Sequence, residues 1–181
     1  MNQEELTKGF CVGMKYIPGG WWFGGEYMIC WEKKISFGGY MHITHGETNL
    51  EKMLANLQPI LSVESYVYCF LDYPHLPDLP VWACMCEQEG RTLIMRQEEA
   101  DLQGFSYEGV WRLITMRVHP SLYAVGLTAQ VSTILSDAGI RANIVAGYYH
   151  DHVFVPAGSA MAACDLLSQL AGGKEPRITG K

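Results

Sequence analysis

The fold predicted by this sequence is an α+β sandwich: an antiparallel sheet with helices laid over one face. Three observations predict it. Apolar residues recur at helical spacing in several segments, and short runs rich in aromatic and β-branched residues lie between them. The carboxy-terminal half then sets these in the order strand–helix–strand–strand–helix. With 49% hydrophobic and 18% charged residues among 181, the chain has the makings of one folded domain, or of two small modules sharing a core.

Residues 1–40 stand apart. "YIPGGWWFGGEYMICWEKKISFGGY" is rich in Trp, Tyr, Phe and Gly and keeps neither a helical nor an alternating rhythm. Gly38–Gly39–Tyr40–Met41 can be encoded as GGA-GGN-TAY-ATG, a purine-rich ribosome-binding sequence just before an ATG. The segment is therefore expected to be an extension, a translated leader ahead of a natural start at Met41. The alternative is an aromatic binding flap.

From Met41 the patterns become regular. Leu50, Met53, Leu54, Leu57, Ile60 and Leu61 mark a short amphipathic helix ended around Pro59. "SYVYCFLDY", Ser65 to Tyr73, is a buried strand, and "PHLPDLP" is a loop. A hairpin follows: Val81 to Cys86, a turn near Glu89–Gly90, and Thr92 to Arg96. "QEEADLQG" is a short helix closed by Gly104.

Trp111 to Val118 is the next strand. Leu127, Val131, Ile134, Leu135 and Ala138 form one helical stripe, with Gly139 placed to end it in a left-handed cap. Asn143 to Tyr148 and His152 to Val155 are two strands. Ala160, Ala163, Cys164, Leu167 and Leu170 line a last helix, with Ser159 as N-cap. Residues 172–181 form a flexible tail. The carboxy-terminal half lacks a closing fourth strand, which the amino-terminal half is expected to supply through Tyr66 to Asp72.

Several function classes are disfavoured. A formal charge of −6 and no Lys/Arg cluster argue against nucleic acid. No apolar run is long enough to span a bilayer, and Glu4 and Glu5 make a poor secretory signal, so cytoplasm is the expected location. The six cysteines, Cys11, Cys30, Cys69, Cys84, Cys86 and Cys164, show no CxxC pairing and are expected to be buried thiols.

The chemistry concentrates near "ANIVAGYYHDHVFVP", Ala142 to Pro156. His150–Asp151–His152 reads as a polar hairpin tip. Asp151 would bind an ammonium or guanidinium as a charge-assisted pair, with His150 and His152 orienting it. A metal site would need a third ligand, and His119 is the only partner in view. A small enzyme or metal protein using His119, His150 and His152 is thus the weaker alternative. No activated Cys/His dyad, GxSxG elbow or phosphate loop accompanies it, so the chain is expected not to be an enzyme and to carry no cofactor.

Ahead of the long helix, the backbone N–H groups of Val125, Gly126 and Leu127 suit a carboxylate, although helix–strand packing explains Gly126 equally well. Asn143 offers an amide to the same ligand, or else bonds its own turn. Of Tyr148 and Tyr149, one should face the core and the other solvent or a partner.

"VHPSLYAVGLTA" (Val118 to Ala129) and "AGYYHDHVFVP" (Ala146 to Pro156) resemble the ACT domain, most closely the small bacterial ACT-domain proteins with two tandem modules. The departure is Pro120–Ser121, where the pattern has two serines, with Tyr123 where it often has an acid. The resemblance is strongest from about Trp111 to Leu170 and weaker back to about residue 47. It implies a ferredoxin-like βαββαβ sandwich in two ACT-like modules, 41–109 and 110–171. It also implies a non-catalytic regulatory protein that binds an amino acid or related metabolite, distantly similar to the cytosolic arginine sensors. Homodimers through sheet or helix pairing fit the same resemblance, and a ligand-free oligomerisation module is the other alternative.

Overall fold

A computed structural model describes residues 14–17, 20–23, 46–72, 79–172 and 177–179. Most of the 1–40 extension, Cys11, Cys30 and most of the proline-rich loop lie outside the described residues. Within the extension, β1 (Met14–Ile17) and β2 (Gly20–Phe23) pair antiparallel with each other, so a short hairpin stands where no rhythm was legible.

Helix α1 (Leu50–Asn56) starts where the Asn49 side chain accepts the Lys52 N–H at 3.0 Å. It ends earlier than its apolar stripe suggests. Gln58 precedes Pro59 and is pushed out of helical geometry, so Ile60 and Leu61 belong instead to β3 (Pro59–Leu71). The hairpin of β4 (Val81–Cys86) and β5 (Arg91–Arg96) follows, then α2 (Gln97–Gln103). The second half comprises β6 (Trp111–Met116), α3 (Leu127–Asp137), β7 (Asn143–Ala146), β8 (Asp151–Pro156) and α4 (Ala160–Leu170). Gly104 and Gly139 end α2 and α3 at φ 72° and 70°. Ser159 occupies the N-cap position of α4 without a side-chain cap bond, because a 3-10 turn, Ala157–Ser159, leads into the helix. In the tail, β9 (Arg177–Thr179) pairs in parallel with Ile60–Ser62, so part of the segment expected to fray is a strand.

The main sheet runs β4-β5-β3-β6-β8-β7, with β9 beside β3. Counted from β3, the first module lies in the order second–third–first–fourth strand, its fourth being β6. Counted from β6, the second module repeats that order, its fourth being β3. The two central strands therefore each begin one module and complete the other. The amino-terminal half does supply the missing strand, but through Pro59–Leu61 and Ser65–Tyr66; Val67–Leu71 pair with β5, with a single further bridge from Cys69 to Tyr107.

Alternation along the strands divides the core. The helix-covered face carries one cluster under α1, α3 and α4, including Leu61, Ile114, Met116, Val153 and Val155, and a smaller one under α2 around Val67, Leu93 and Met95. The other face carries Tyr66, Tyr68, Trp82, Trp111 and Phe154. Trp82 on β4 meets Phe154 on β8 at 4.8 Å between ring centroids. Those strands are four lanes apart, roughly 19 Å in a flat sheet. The sheet is therefore strongly coiled, and its far strands close over an aromatic interior.

Candidate functional site

The turn between β7 and β8 is Gly147–His150, closed by the Gly147 N–H donating to His150 O at 3.0 Å. Asp151 is consequently not at the tip. It is the first residue of β8, paired with Ala146 on one side and Met116 on the other. Its side chain shares the helix-covered face with Val153 and Val155, and only 9% of the residue reaches solvent. Burial raises its carboxyl pKa, opposed by the His150 charge. Among the described residues the carboxylate forms no hydrogen bond or ion pair.

α3 starts at the end of the sheet where β6 finishes and β8 begins, so its first turn and Asp151 share one end and one face of the molecule. Gly126 holds the N-cap position at φ 105°, and no side chain caps the first-turn amides. A Cβ at Gly126 would come within 2.9 Å of Leu50 Cδ2. The left-handed backbone therefore favours glycine there, and a side chain would also have to displace the Leu50 methyl group. Val125 is 82% exposed, its side chain directed away from the core. The loop before α3 is held by residues seventy positions earlier: Glu47 N–H donates to His119 O and Ser121 N–H to Glu47 O, both at 2.9 Å. Gly46 packs directly on the Pro120 backbone.

The other expected contacts are dispersed. Asn143 pairs with Phe154 and therefore lies on the aromatic face, away from Gly126. There its amide pulls against the burial that pushes the Tyr68 hydroxyl up to about 12, and the two stop short of a hydrogen bond. His150 Nδ1 lies 3.1 Å from Val118 O and laces the turn to the loop. His152 also lies on the aromatic face, 3.3 Å from Thr115 Oγ1 and edge-on to Trp82, and burial lowers its pKa to about 4. His119 lies against Tyr149, with centroids 4.9 Å apart and planes tilted by 45°. The three histidines do not converge, and among the described residues no group of three His, Cys, Asp or Glu could hold a metal. Tyr148 and Tyr149 both face outward, at 49% and 52% exposure, so neither enters the core.

Cys69, Cys84, Cys86 and Cys164 are free thiols, and burial raises the first two and pushes Cys164 to about 11. No helix among the described residues is long and apolar enough to cross a membrane. Sequence reasoning missed the Gly46–Leu50 strap and the Tyr148–Tyr149–His119 contact. The strap joins segments far apart in sequence and left no local signal, whereas two adjacent tyrosines in a turn were a visible one.

The ACT-domain family matches twice in tandem, over residues 45–112 and 106–169. A crystal structure of a protein of unknown function from Vibrio cholerae, described as a possible transport protein, is 40% identical. The match covers 67% of this chain and 95% of that one at a TM-score of 0.62. A protein from Agobacterium tumefaciens, 15% identical, matches 69% of this chain and 93% of its own at a TM-score of 0.55, a likeness of fold. Comparison with curated proteins finds no match.

Proposed function

The chain belongs to the ACT-domain family of regulatory ligand-binding domains, and on that premise we propose that it binds an amino acid or related zwitterion without transforming it. The ligand carboxylate meets the uncapped amides around Gly126–Leu127, and its cationic group meets Asp151. Val125 contributes backbone, and His150 braces the turn. Asn143 and His152 lie on the opposite face and are not part of this site.

The observation that carries the reading is Asp151. Asp151 is nine-tenths buried as a residue, and its carboxylate, which keeps a narrow solvent contact, has no hydrogen bond or ion pair among the described residues; carboxylates in such positions are ordinarily paired. A cation delivered by a ligand would supply the pairing. The first-turn amides of α3 at the same end supply the complementary donors.

Thermal-shift measurements with the twenty amino acids test it. A true ligand at a hundred times its Kd adds about 2.7 kcal/mol of stability. That gain should vanish in Asp151→Asn. Absence of any shift, or an undiminished shift in the variant, would refute the assignment.

A further inference from the structure

Of nine large apolar side chains standing exposed among the described residues, five sit at the same end as Asp151: Leu122, Tyr123, Val125, Tyr148 and Tyr149. The last two join His119 in a group of three rings. Centroids lie 4.9 Å apart for His119–Tyr149, 5.0 Å for Tyr148–Tyr149 and 6.3 Å for His119–Tyr148. The planes are inclined by 45°, 75° and 43°, so the rings present several faces rather than one stacked column.

Backbone connectivity holds this group at the end of the sheet where Asp151 lies. Asp151 is paired with Met116 and Ala146, the last residues of β6 and β7. Both strands continue past that pairing into the segments that carry the rings: His119 after β6, and Tyr148 and Tyr149 after β7. The His150–Val118 contact ties the two segments together. The rings thus form an aromatic rim at the end of the sheet where the recessed carboxylate lies.

We propose that this rim selects a weakly hydrated cation, an alkylated or charge-delocalised group, over a bare ammonium. The inference rests on the zwitterion-binding reading of Asp151 and adds specificity to it. Ring faces attract cations through their quadrupoles, and quaternary ammonium ions, which cannot hydrogen-bond to water, lose least on reaching them. A primary ammonium is strongly hydrated and gives up more. Asp151 supplies the charge recognition common to both, and Tyr148, Tyr149 and His119 supply the discrimination.

Calorimetric titration of the full chain with Nε-trimethyl-lysine, lysine and norleucine tests this on one amino-acid scaffold. Trimethyl-lysine should bind at least about fivefold tighter than lysine. In the double variant Tyr148→Leu/Tyr149→Leu the ratio should fall within about twofold, and in Tyr148→Phe/Tyr149→Phe it should persist, because the ring faces remain. Equal binding of trimethyl-lysine and lysine by the wild type overturns the rim's role while leaving the zwitterion site standing. An unchanged ratio in the leucine variant does the same. A fall in solution mass in that variant, without a change in ratio, would make the rim a contact between copies and equally reject the proposal. Binding of none of the three, or binding that survives Asp151→Asn, removes the underlying reading and the rim's role with it.

Discussion

The two modules place a buried charge at the same position and give it opposite signs. Arg91 opens β5 and Asp151 opens β8, each the third strand of its module. Arg91 pairs with Leu71 and Cys86, the last residues of β3 and β4, just as Asp151 pairs with Met116 and Ala146. Both lie on the helix-covered side and are at most 9% exposed. Their surroundings differ. Arg91 lies against the Cys84 thiol and lowers its pKa against burial. Asp151 has only the neighbouring His150 charge, and beside it starts a helix with uncapped amides. Among the described residues the first module has no counterpart of α3. One charge is set against a thiol of its own module, and the other lies at the end of the sheet where a helix starts.

The largest expected effect breaks the modules' independence. Ile114 is fully buried on the shared strand β6, so Ile114→Asp should cost more than about 4 kcal/mol and unfold both halves together. Coincident loss of tryptophan emission and far-ultraviolet circular dichroism would show this; two separate transitions would contradict the shared-strand description. Arg91→Gln should destabilise by about 2 kcal/mol, as loss of a buried charged group's contacts does, read as a lower urea midpoint.

His152 sharpens the contrast between faces. Its folded pKa, about 4, lies below the ordinary histidine value, so the unfolded chain takes up a proton first as pH falls. Stability should be unaffected above about pH 6.5 and decline from there toward pH 4, by about 2 kcal/mol given its partial solvent contact. Urea midpoints across that range should flatten in His152→Gln. The smallest effect has the opposite sign from Arg91→Gln. Because burial raises the Asp151 pKa, its ionised form weakens the ligand-free fold at neutral pH. Asp151→Asn should therefore stabilise by about 0.5–1 kcal/mol, an advantage that fades as pH falls through the raised folded value and is gone below the unfolded carboxyl range. A lower melting temperature for this variant would show that Asp151 is already satisfied in the fold.

Local chemistry made most elements legible. The β4–β5 hairpin, the stripe of α3 and the glycines at 104 and 139 report themselves within a few residues. Pro59 was ambiguous because Ile60 and Leu61 extend a helical spacing while the proline forbids its continuation. The candidate site was only half legible. Which face Asn143 or Asp151 occupies depends on register, and one residue of slip reverses it. Placing the aspartate at the tip misjudged the turn by one residue, since His150 closes it through its carbonyl. The contact of Leu50 with Gly126, and the coil that carries Trp82 to Phe154, arise from distant segments that no window of sequence compares.

The exchange of central strands constrains how such a chain can be divided or inherited. A recombination break between residues 104 and 110 would leave two fragments with raw edges, each edge the binding partner of the other. Co-expressed, the fragments should reassemble without a peptide bond between them. Expressed singly, each is an invitation to domain swapping with its own copies. Duplication and shuffling would therefore have to carry the pair together, one inherited piece despite its doubled plan.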